Sequence, residues 1–204
     1  MDSTREKASY CIGYETGRNL MNQFSDIDMD LLEKGLADGL TNKNAELPDD
    51  ERQRIMMALR QQVEMQQRQV FAKIAEHNRK TGDDFLKENR EKEGVTTCSS
   101  GLQYKVIQVG SGPKPILADV ATIHYRGSFL DGRIFDSSYE RGKPQQFPLS
   151  RVIPGWAEVL QLMRVGDKWQ VWIPHYLAYG EVGMGNEIGP CTTLVFEIEL
   201  LGVN

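Results

Sequence analysis

Long apolar runs and surplus positive charge are both missing from this sequence. No segment of the 204 residues approaches the roughly 18 consecutive apolar residues of a membrane-spanning helix. Asp and Glu (29) outnumber Lys and Arg (24), so the formal net charge is -5. Phosphate binding needs a concentrated basic face, and no run of Lys or Arg supplies one. We therefore expect neither a membrane span nor a nucleic-acid partner.

Cysteine is scarce and widely spaced. Cys11, Cys98 and Cys191 form no CxxC pair, which argues against a zinc site and against a disulfide framework. A reducing compartment fits this pattern best, although the odd count also allows one disulfide and one free thiol. The histidines lack metal-ligand spacing, and no glycine-rich stretch opens a helix after a strand as a phosphate-binding loop does. We thus expect no metal site and no cofactor.

The N-terminal segment lacks the apolar core of an export signal. Its first residues, MDSTREKASYCIGYETG, contain charged and small side chains but no apolar stretch of the required length. We therefore expect a cytoplasmic protein. The periplasm or the cell surface is the alternative if an export signal has been removed.

Proline is nearly absent from the first part of the chain, and this difference predicts a domain boundary. Only Pro48 precedes Gly94, and the residues around it are mostly good helix formers. After Gly94, β-branched and aromatic residues increase, and frequent Gly and Pro indicate turns between short strands. The expected divisions are a helical dimerisation domain over 1–47, a long linker helix over 48–94 and a strand-rich domain over 95–204.

Three helices are predicted before Gly94. The segment KASYCIGYETGRNLMNQF forms the first, Asp28 caps the second, and Pro48 occupies the first position of the third. Gly82 is a weak point of the third helix, whose C-terminal half we expect to be a solvated spacer because its apolar stripe is narrow. The first two helices carry more apolar side chains than so small a unit can cover. We therefore expect residues 1–47 to form a homodimer.

Four strand-like segments and one short helix are predicted after Gly94. The strands lie within 101–110, 120–130, 168–174 and 192–203, where apolar residues alternate or run together. In the segment IPGWAEVLQLMRVGD, Trp156, Val159, Leu160 and Met163 have helical spacing, with Pro154 just before the helix and Gly166 as its terminator. The expected fold class is α+β, with a strongly bent antiparallel sheet closed over the short helix as a half-barrel.

The motifs of the strand-rich part carry a family resemblance. VATIHYRG, FDSS, VIPGW, LAYG and TLVFEIELL follow one another in this chain with the order and separations of the FKBP-type peptidyl-prolyl cis-trans isomerase domain, which the region from Gly101 to Val203 resembles. The leading SYCIGYETGRNL and the helices that follow are similar to the dimeric, Mip-like bacterial members of that family. The resemblance thus extends over nearly the whole chain.

The resemblance implies an apolar pocket that receives a proline ring and accelerates rotation about the preceding peptide bond. Trp156 would form its floor, and the Tyr179 hydroxyl would donate to a substrate carbonyl at the rim. Asp136 would sit at the edge, held by Tyr125. Carried over by motif position, the catalytic residues are Tyr125, Phe135, Asp136, Trp156, Tyr179 and Phe196, and the substrate-binding residues are Phe147, Val152, Ile153 and Ile188.

Two departures from the family pattern bear on ligand binding. Gln145 stands where many members have an aromatic residue after the KP pair, with Phe147 two positions later, so one wall is expected to be more polar. In the flap GEVGMGNEIGP, Met184 and Glu187 are expected to change how large ligands pack.

The resemblance also implies the partners. They are proline-containing peptides, unfolded or partly folded proteins, and macrolides of the rapamycin type as inhibitors. A V-shaped homodimer with two pockets on helical arms would add chaperone-like client binding through effective concentration. The alternative function is a holdase that binds apolar peptides without catalysis.

Overall fold

The computed structural model describes residues 1–24 and 26–204. They form two compact units, Met1–Arg68 and Gln69–Asn204. Within the described residues no helix has the length and apolar character needed to cross a membrane. Cys11, Cys98 and Cys191 are all free thiols, so the alternative of one disulfide is not realised in this structure.

The first unit contains two capped helices and the start of a third. Helix α1 spans Thr4–Gln23, α2 spans Met29–Leu40, and α3 spans Asp49–Asn89. The Asp28 carboxylate accepts a hydrogen bond from the backbone N–H of Leu31 at 3.0 Å, so it caps α2 as the sequence predicts. A capping box of Ser3 and Glu6 fixes the start of α1.

Helix α3 starts one residue later than the sequence suggests. Its first residue is Asp49, and the Pro48 carbonyl accepts the hydrogen bond of the Arg52 N–H at 3.0 Å. Pro48 therefore occupies the cap position and not the first helical position. Asp49, Asp50 and Glu51 fill the first turn, where negative charge favours the helix dipole.

Apolar side chains in the first unit remain uncovered. None of its described residues is buried. Leu36 keeps 52% of its surface exposed and Leu40 keeps 78%. Tyr10 and Tyr14 stack on each other with ring centroids 6.1 Å apart, but both are exposed. The unit thus lacks a core of its own.

The second unit is built on an antiparallel sheet, which confirms the α+β prediction. The strands are β1 Val95–Thr97, β2 Gln103–Gln108, β3 Val120–Ser128, β4 Ile134–Ser137, β5 Gln145–Pro148, β6 Lys168–Ile173 and β7 Leu194–Val203. Their order in the sheet is β1-β2-β6-β7-β3-β4, with β5 paired to β3. Strands β1, β4 and β5 have three or four residues each, too few for a periodic pattern, and the sequence did not indicate them.

The core of the second unit forms between the sheet and one short helix, α4, which spans Pro154–Leu162. Side chains of β3 and β7 alternate between buried and less buried positions, because successive residues of a strand point to opposite faces. Trp156, Val159 and Leu160 lie on the buried face of α4 at helical spacing. Pro154 occupies the first turn of α4, where its missing N–H costs nothing. This packing places Trp156 next to the inner face of the sheet.

The C-terminal part of α3 packs on the sheet, which corrects the prediction of a solvated spacer. Asn78 Nδ2 donates to the Pro190 carbonyl at 2.8 Å, and Asn89 Nδ2 donates to Gln103 Oε1 at 2.9 Å. Gly82 is buried, and a Cβ at this position would lie 2.3 Å from Thr193 Oγ1. Two of these contacts are hydrogen bonds between polar groups, and the third is a close approach at a glycine. Apolar periodicity therefore could not indicate them.

Candidate active site

An open cavity of about 460 Å³ lies in the second unit. Nine of the ten site residues expected from the sequence line it, although they come from separate elements. The nine are Tyr125, Phe135, Asp136, Phe147, Val152, Ile153, Trp156, Tyr179 and Phe196; Arg151, Met184 and Glu187 complete the lining.

Ile188 is the expected site residue that does not line this cavity. It belongs to the core, with 1% of its surface exposed. Its backbone pairs with that of Met184 through two hydrogen bonds of 2.8 and 3.1 Å. Ile188 therefore anchors the turn that carries Met184 and Glu187. Gln145 also stands outside the lining, and its side chain donates to the Lys143 carbonyl at 3.4 Å, so the polar wall expected from Gln145 is absent.

Trp156 is the centre of an aromatic cluster. The rings of Tyr125, Phe147 and Phe196 meet its indole edge-on, with centroids 5.0, 5.5 and 5.2 Å away. Phe135 meets Phe196 at a right angle, with centroids 5.7 Å apart. Edge-to-face pairs at these distances are attractive beyond the area that they bury. The cavity is thus walled by rings that hold one another in place.

A β-bulge explains how two successive residues, Phe135 and Asp136, both reach the cavity. In the pairing of β3 with β4, Gly127 faces Asp136 and Ser128 faces Ile134, so Phe135 is the extra residue. In a regular strand these neighbours would point to opposite faces, and a bulge redirects one of them. The sequence offers no periodic signal for this shift.

Gly127 provides the space for two of these rings. It pairs with Asp136 on one side and Phe196 on the other. A Cβ at Gly127 would lie 2.6 Å from Phe135 Cζ and 2.8 Å from Phe196 Cε1. Only a residue without a side chain lets both rings approach this strand.

A polar network closes one side of the cavity. The Tyr125 hydroxyl donates to Asp136 Oδ2 at 2.5 Å, as the resemblance implies. Arg141 also donates to Asp136 through an ion pair and to the Tyr125 hydroxyl oxygen at 2.7 Å. Each of the three groups therefore has two hydrogen-bonded partners within the network.

The network shifts the pKa values of its members. Burial and the hydrogen bond to Asp136 raise the pKa of Tyr125 to about 12, although Arg141 opposes the rise. Burial alone would raise the pKa of Asp136, but hydrogen bonds from Tyr125 and Arg141 and the charge of Arg141 hold it below its usual range. Near neutral pH the site therefore holds a carboxylate and a protonated phenol.

Sequence reasoning missed Arg141 and Arg151. Arg141 follows Asp136 by five residues, and the turn that ends at Gly142 brings it back to the carboxylate. A signal was available in the motif FDSSYERG, where an arginine follows an acidic residue within one turn-rich segment. Arg151 ends a 3₁₀ helix just before the Val152–Ile153 segment. Nothing in its sequence context distinguishes it from a surface arginine.

The Tyr179 hydroxyl has no hydrogen-bond partner among the described residues and stands in a cavity lined by five other aromatic residues. Burial, together with the negative charge of Asp136, raises the pKa of Tyr179. The hydroxyl therefore keeps its proton and is available as a donor to a ligand in the cavity.

The segment that follows Tyr179 is tied to α3 at both ends. Arg79 Nη2 lies 3.2 Å from Glu181 Oε1 and 3.4 Å from Cys191 Sγ. Asn78 holds the Pro190 carbonyl, as described above. The segment between these anchors carries Met184 and Glu187 to the cavity, so α3 helps to define the cavity's rim.

The sequence of the chain matches two protein-family models. Residues 112–201 match the model described as "FKBP-type peptidyl-prolyl cis-trans isomerase", and residues 5–106 match the "domain amino terminal to FKBP-type peptidyl-prolyl isomerase". The chain belongs to the FKBP-type peptidyl-prolyl cis-trans isomerases. The resemblance of the motifs is thereby confirmed, and with it the assignment as an enzyme of this class.

Relatives of the FKBP family match the chain from end to end. The "Outer membrane protein MIP" of Legionella longbeachae is 41% identical over 203 residues, which cover 100% of this chain and 87% of the relative. The "FKBP-type 22 kDa peptidyl-prolyl cis-trans isomerase" of Escherichia coli K12 is 42% identical, with 99% and 97% covered. The crystal structure of FkpA from Escherichia coli has a TM-score of 0.77 at 34% identity, with 100% and 98% covered. The chain is therefore an FKBP-type isomerase of the Mip and FkpA type.

Proposed function

We propose that the aromatic cavity is the catalytic site and that it accelerates X-Pro isomerisation by desolvation and shape. The observation that carries this proposal is the convergence of five aromatic rings and one free phenol on a cavity of about 460 Å³. A proline ring is apolar and fits against such walls. Trp156 forms the floor, while Phe135, Phe147 and Phe196 form the walls.

The reaction itself needs no covalent intermediate. Rotation about the peptide bond has a barrier of ~18–20 kcal/mol because resonance keeps the bond planar. Conjugation and charge separation fall in the twisted transition state, so an apolar site favours it over the planar ground state that water solvates. Catalysis requires only this difference in binding. A thousandfold acceleration corresponds to about 4 kcal/mol of preferential stabilisation.

Two polar groups orient the substrate in this proposal. The Tyr179 hydroxyl donates to a substrate carbonyl at the rim, because it keeps its proton and has no partner among the described residues. Asp136 stands at the edge, and Tyr125 and Arg141 fix its orientation. Val152 and Ile153 add apolar contacts at the start of α4. Ile188 acts indirectly by holding the turn of Met184.

A peptide assay tests the catalytic site. The cis-to-trans rate of a short peptide with a Leu-Pro bond is measured at low temperature with the intact protein, with Asp136→Ala and with Glu140→Ala. Asp136→Ala should lower kcat/KM about 10- to 100-fold, which corresponds to ~1.4–2.7 kcal/mol. Glu140 is an exposed acidic residue of the same turn region, so its replacement should leave the rate within a factor of about two. Equal rates for all three proteins would refute the assignment of the site.

Macrolides of the rapamycin type should compete for the same cavity. Aromatic rings make up much of the lining and Gln145 lies outside it, which favours such ligands. Met184 and Glu187 line the rim where a large ring would pack. Rapamycin added to the peptide assay should therefore inhibit turnover, and unchanged turnover at saturating macrolide would reject this part of the proposal.

The first unit is proposed to form a homodimer through residues 1–47. The support is its exposed apolar surface, since none of its described residues is buried. Soluble proteins seldom leave a large contiguous apolar patch uncovered. In this proposal, residues 48–94 connect the dimerisation domain to the isomerase domain at 95–204. A monomeric mass by light scattering at micromolar concentration would refute the dimer.

Two cavities in one dimer would also hold unfolded clients. Binding at one site raises the effective concentration of the client at the other. Chaperone-like binding is therefore proposed as a second property of the same sites. It predicts that the intact dimer speeds the refolding of a proline-limited protein more than a monomeric variant of equal short-peptide activity.

For the compartment, the name of one relative supports the alternative of the periplasm or the cell surface. The Legionella relative carries the name "Outer membrane protein MIP". We propose the cell envelope on this basis. Cell fractionation with an antibody against the protein tests the proposal. If the protein were found in the cytoplasmic fraction alone, the proposal would be wrong and the cytoplasmic location expected from the N-terminal segment would be correct.

A further inference from the structure

A second cavity of about 340 Å³ adjoins the proposed catalytic site. Helix α3 contributes His77, Asn78 and Thr81 to one wall, and the turn between β3 and β4 contributes Phe129 and Asp131 to the other. The lining lies wholly within the second unit. This cavity is called the side groove below.

The side groove lies next to the proline cavity. Glu187 lines both cavities. Phe129, in the wall of the groove, contacts Phe135 in the wall of the proline cavity, with ring centroids 5.1 Å apart. The two cavities are therefore neighbours, and a polypeptide that left the proline cavity past Glu187 would reach the side groove next.

The walls of the groove are held in place without a ligand. Asn78 is fixed by its hydrogen bond to the Pro190 carbonyl, and α3 is in close contact with Thr193 at Gly82. On the other wall, the Phe129 N–H donates to the Arg133 carbonyl at 2.9 Å, and the Arg133 guanidinium lies 4.4 Å above the Phe129 ring. Preformed walls of this kind lower the ordering cost of binding.

The chemistry of the groove suits an extended polypeptide. The Thr81 hydroxyl and the Asn78 side-chain oxygen can pair with backbone N–H and C=O groups of a client. The Asn78 side-chain nitrogen already donates to the Pro190 carbonyl and to Thr192 Oγ1, and the Thr192 hydroxyl donates to the Gly189 carbonyl. Asp131 and Glu187 have no ion-pair partner in the part of the chain that the structure describes, although Asp131 Oδ1 accepts the Arg133 N–H at 2.9 Å. The Arg133 guanidinium also lines the groove and is stacked on Phe129. Two carboxylates thus face one guanidinium, and this excess of negative charge favours a client with a basic side chain.

We propose that the side groove binds the residues that flank the proline of a client polypeptide, in extended form and with a preference for a basic side chain. This inference rests on the proposed role of the proline cavity. It assigns α3 a direct part in substrate binding.

Peptides of two lengths test the inference with the full-length protein. A four-residue peptide with a Leu-Pro bond is compared with versions extended at either end by five residues that include two lysines; five residues reach at most about 17 Å. Extension at one end should lower KM about fivefold, equivalent to ~1 kcal/mol. The same extension with glutamates in place of the lysines should bring a smaller gain.

Two variants locate the effect on the protein. Thr81→Arg places a long side chain in the groove from an exposed helical position, so the ratio of short-peptide to extended-peptide KM should fall to about one. Gln69→Arg introduces the same side chain at another exposed position of α3 that does not line the groove, and it should keep the wild-type ratio. Thermal melting of both variants verifies that they fold.

The outcomes separate this inference from the catalytic proposal. If the short peptide is not turned over at all, the catalytic proposal fails. If it is turned over but neither extension lowers KM, or if Thr81→Arg keeps the wild-type ratio, the side groove does not bind the flank. Equal gains for lysine and glutamate extensions would overturn the charge preference.

Discussion

The two compact units of this chain differ in the burial of their apolar side chains. In the second unit, buried residues from Leu102 to Leu200 form one core, and the aromatic rings of the cavity rest on it. In the first unit, none of the described residues is buried, and Leu36 and Leu40 are largely exposed. Function in the second unit therefore depends on the close fit of its own side chains. The first unit instead leaves apolar surface exposed, which the proposed dimer would cover.

The largest expected effect would come from a charge in the uncovered surface. Leu36→Asp removes an apolar group that a two-fold dimer would bury twice, and burying one leucine contributes about 1.5–3 kcal/mol. The dimer dissociation constant should rise about 10²- to 10⁴-fold. Analytical ultracentrifugation over a concentration series measures the change. Glu33→Asp, at an exposed polar position of α2, is the control, and a dimer that tolerates Leu36→Asp unchanged would remove α2 from the interface.

A methyl group tests the close fit of the second unit. In Gly127→Ala the new Cβ would meet the rings of Phe135 and Phe196 at 2.6 and 2.8 Å. Overpacking of this kind costs ~1–3 kcal/mol of the free energy of unfolding, and displaced rings should raise KM for a proline peptide. Urea unfolding and the peptide assay measure both effects. Gly202→Ala is the control on the same sheet, because its Cβ would make only an ordinary 3.9 Å contact with Thr122.

Helix α3 provides a test of where the second unit begins. Alanine favours a helix over glycine by about 1 kcal/mol, so a solvated spacer would be stabilised by Gly82→Ala. We expect the opposite sign, a loss of ~1–2 kcal/mol, because the added Cβ would lie 2.3 Å from Thr193 Oγ1. Chemical denaturation measures the sign. Lys87→Ala, at an exposed position of the same helix, should change stability by less than about 0.5 kcal/mol, and a stabilising Gly82→Ala would show that α3 does not pack on the sheet in solution.

The smallest expected effect is the pH dependence of the Tyr125–Asp136–Arg141 network. The pKa of Asp136 is lower in the folded protein than its usual value of 3.8, so its contribution to stability is present above that value and is lost as pH falls through the folded pKa. The pKa of Tyr125 is raised to about 12, so its contribution is present below pH 10 and is lost as pH rises through about 12.

The contribution of Asp136 to stability is measured as the difference in melting temperature between the wild type and Asp136→Asn at a series of pH values. The gap in melting temperature between the wild type and Asp136→Asn should be constant from about pH 5 to pH 9 and should shrink below about pH 4. Asp119→Asn, which alters a carboxylate in a turn outside the cavity, serves for comparison. A gap for Asp136→Asn that does not change down to pH 2 would show that the network does not stabilise the ionised carboxylate.

Local patterns predicted the elements that are long enough to repeat. The cap at Asp28, the short helix that contains Trp156 and the four longer strands follow from periodicity and from the chemistry of helix ends, although this helix begins at Pro154 and not after it. The aromatic lining could also be named in advance, but only through the resemblance of the ordered motifs to the FKBP-type family. The three short strands were missed since three or four residues do not reveal a period.

The sequence by itself thus determined the order of the elements, the fold class, the family and most of the cavity lining. Only the tertiary structure decided which distant groups meet. Arg141 turns back to Asp136, a bulge directs Phe135 into the cavity, and Asn78 reaches Pro190 across 112 residues. The physical reason is that local patterns record which face of an element is apolar, whereas polar anchors and close approaches through glycine depend on the partner that folding brings to them.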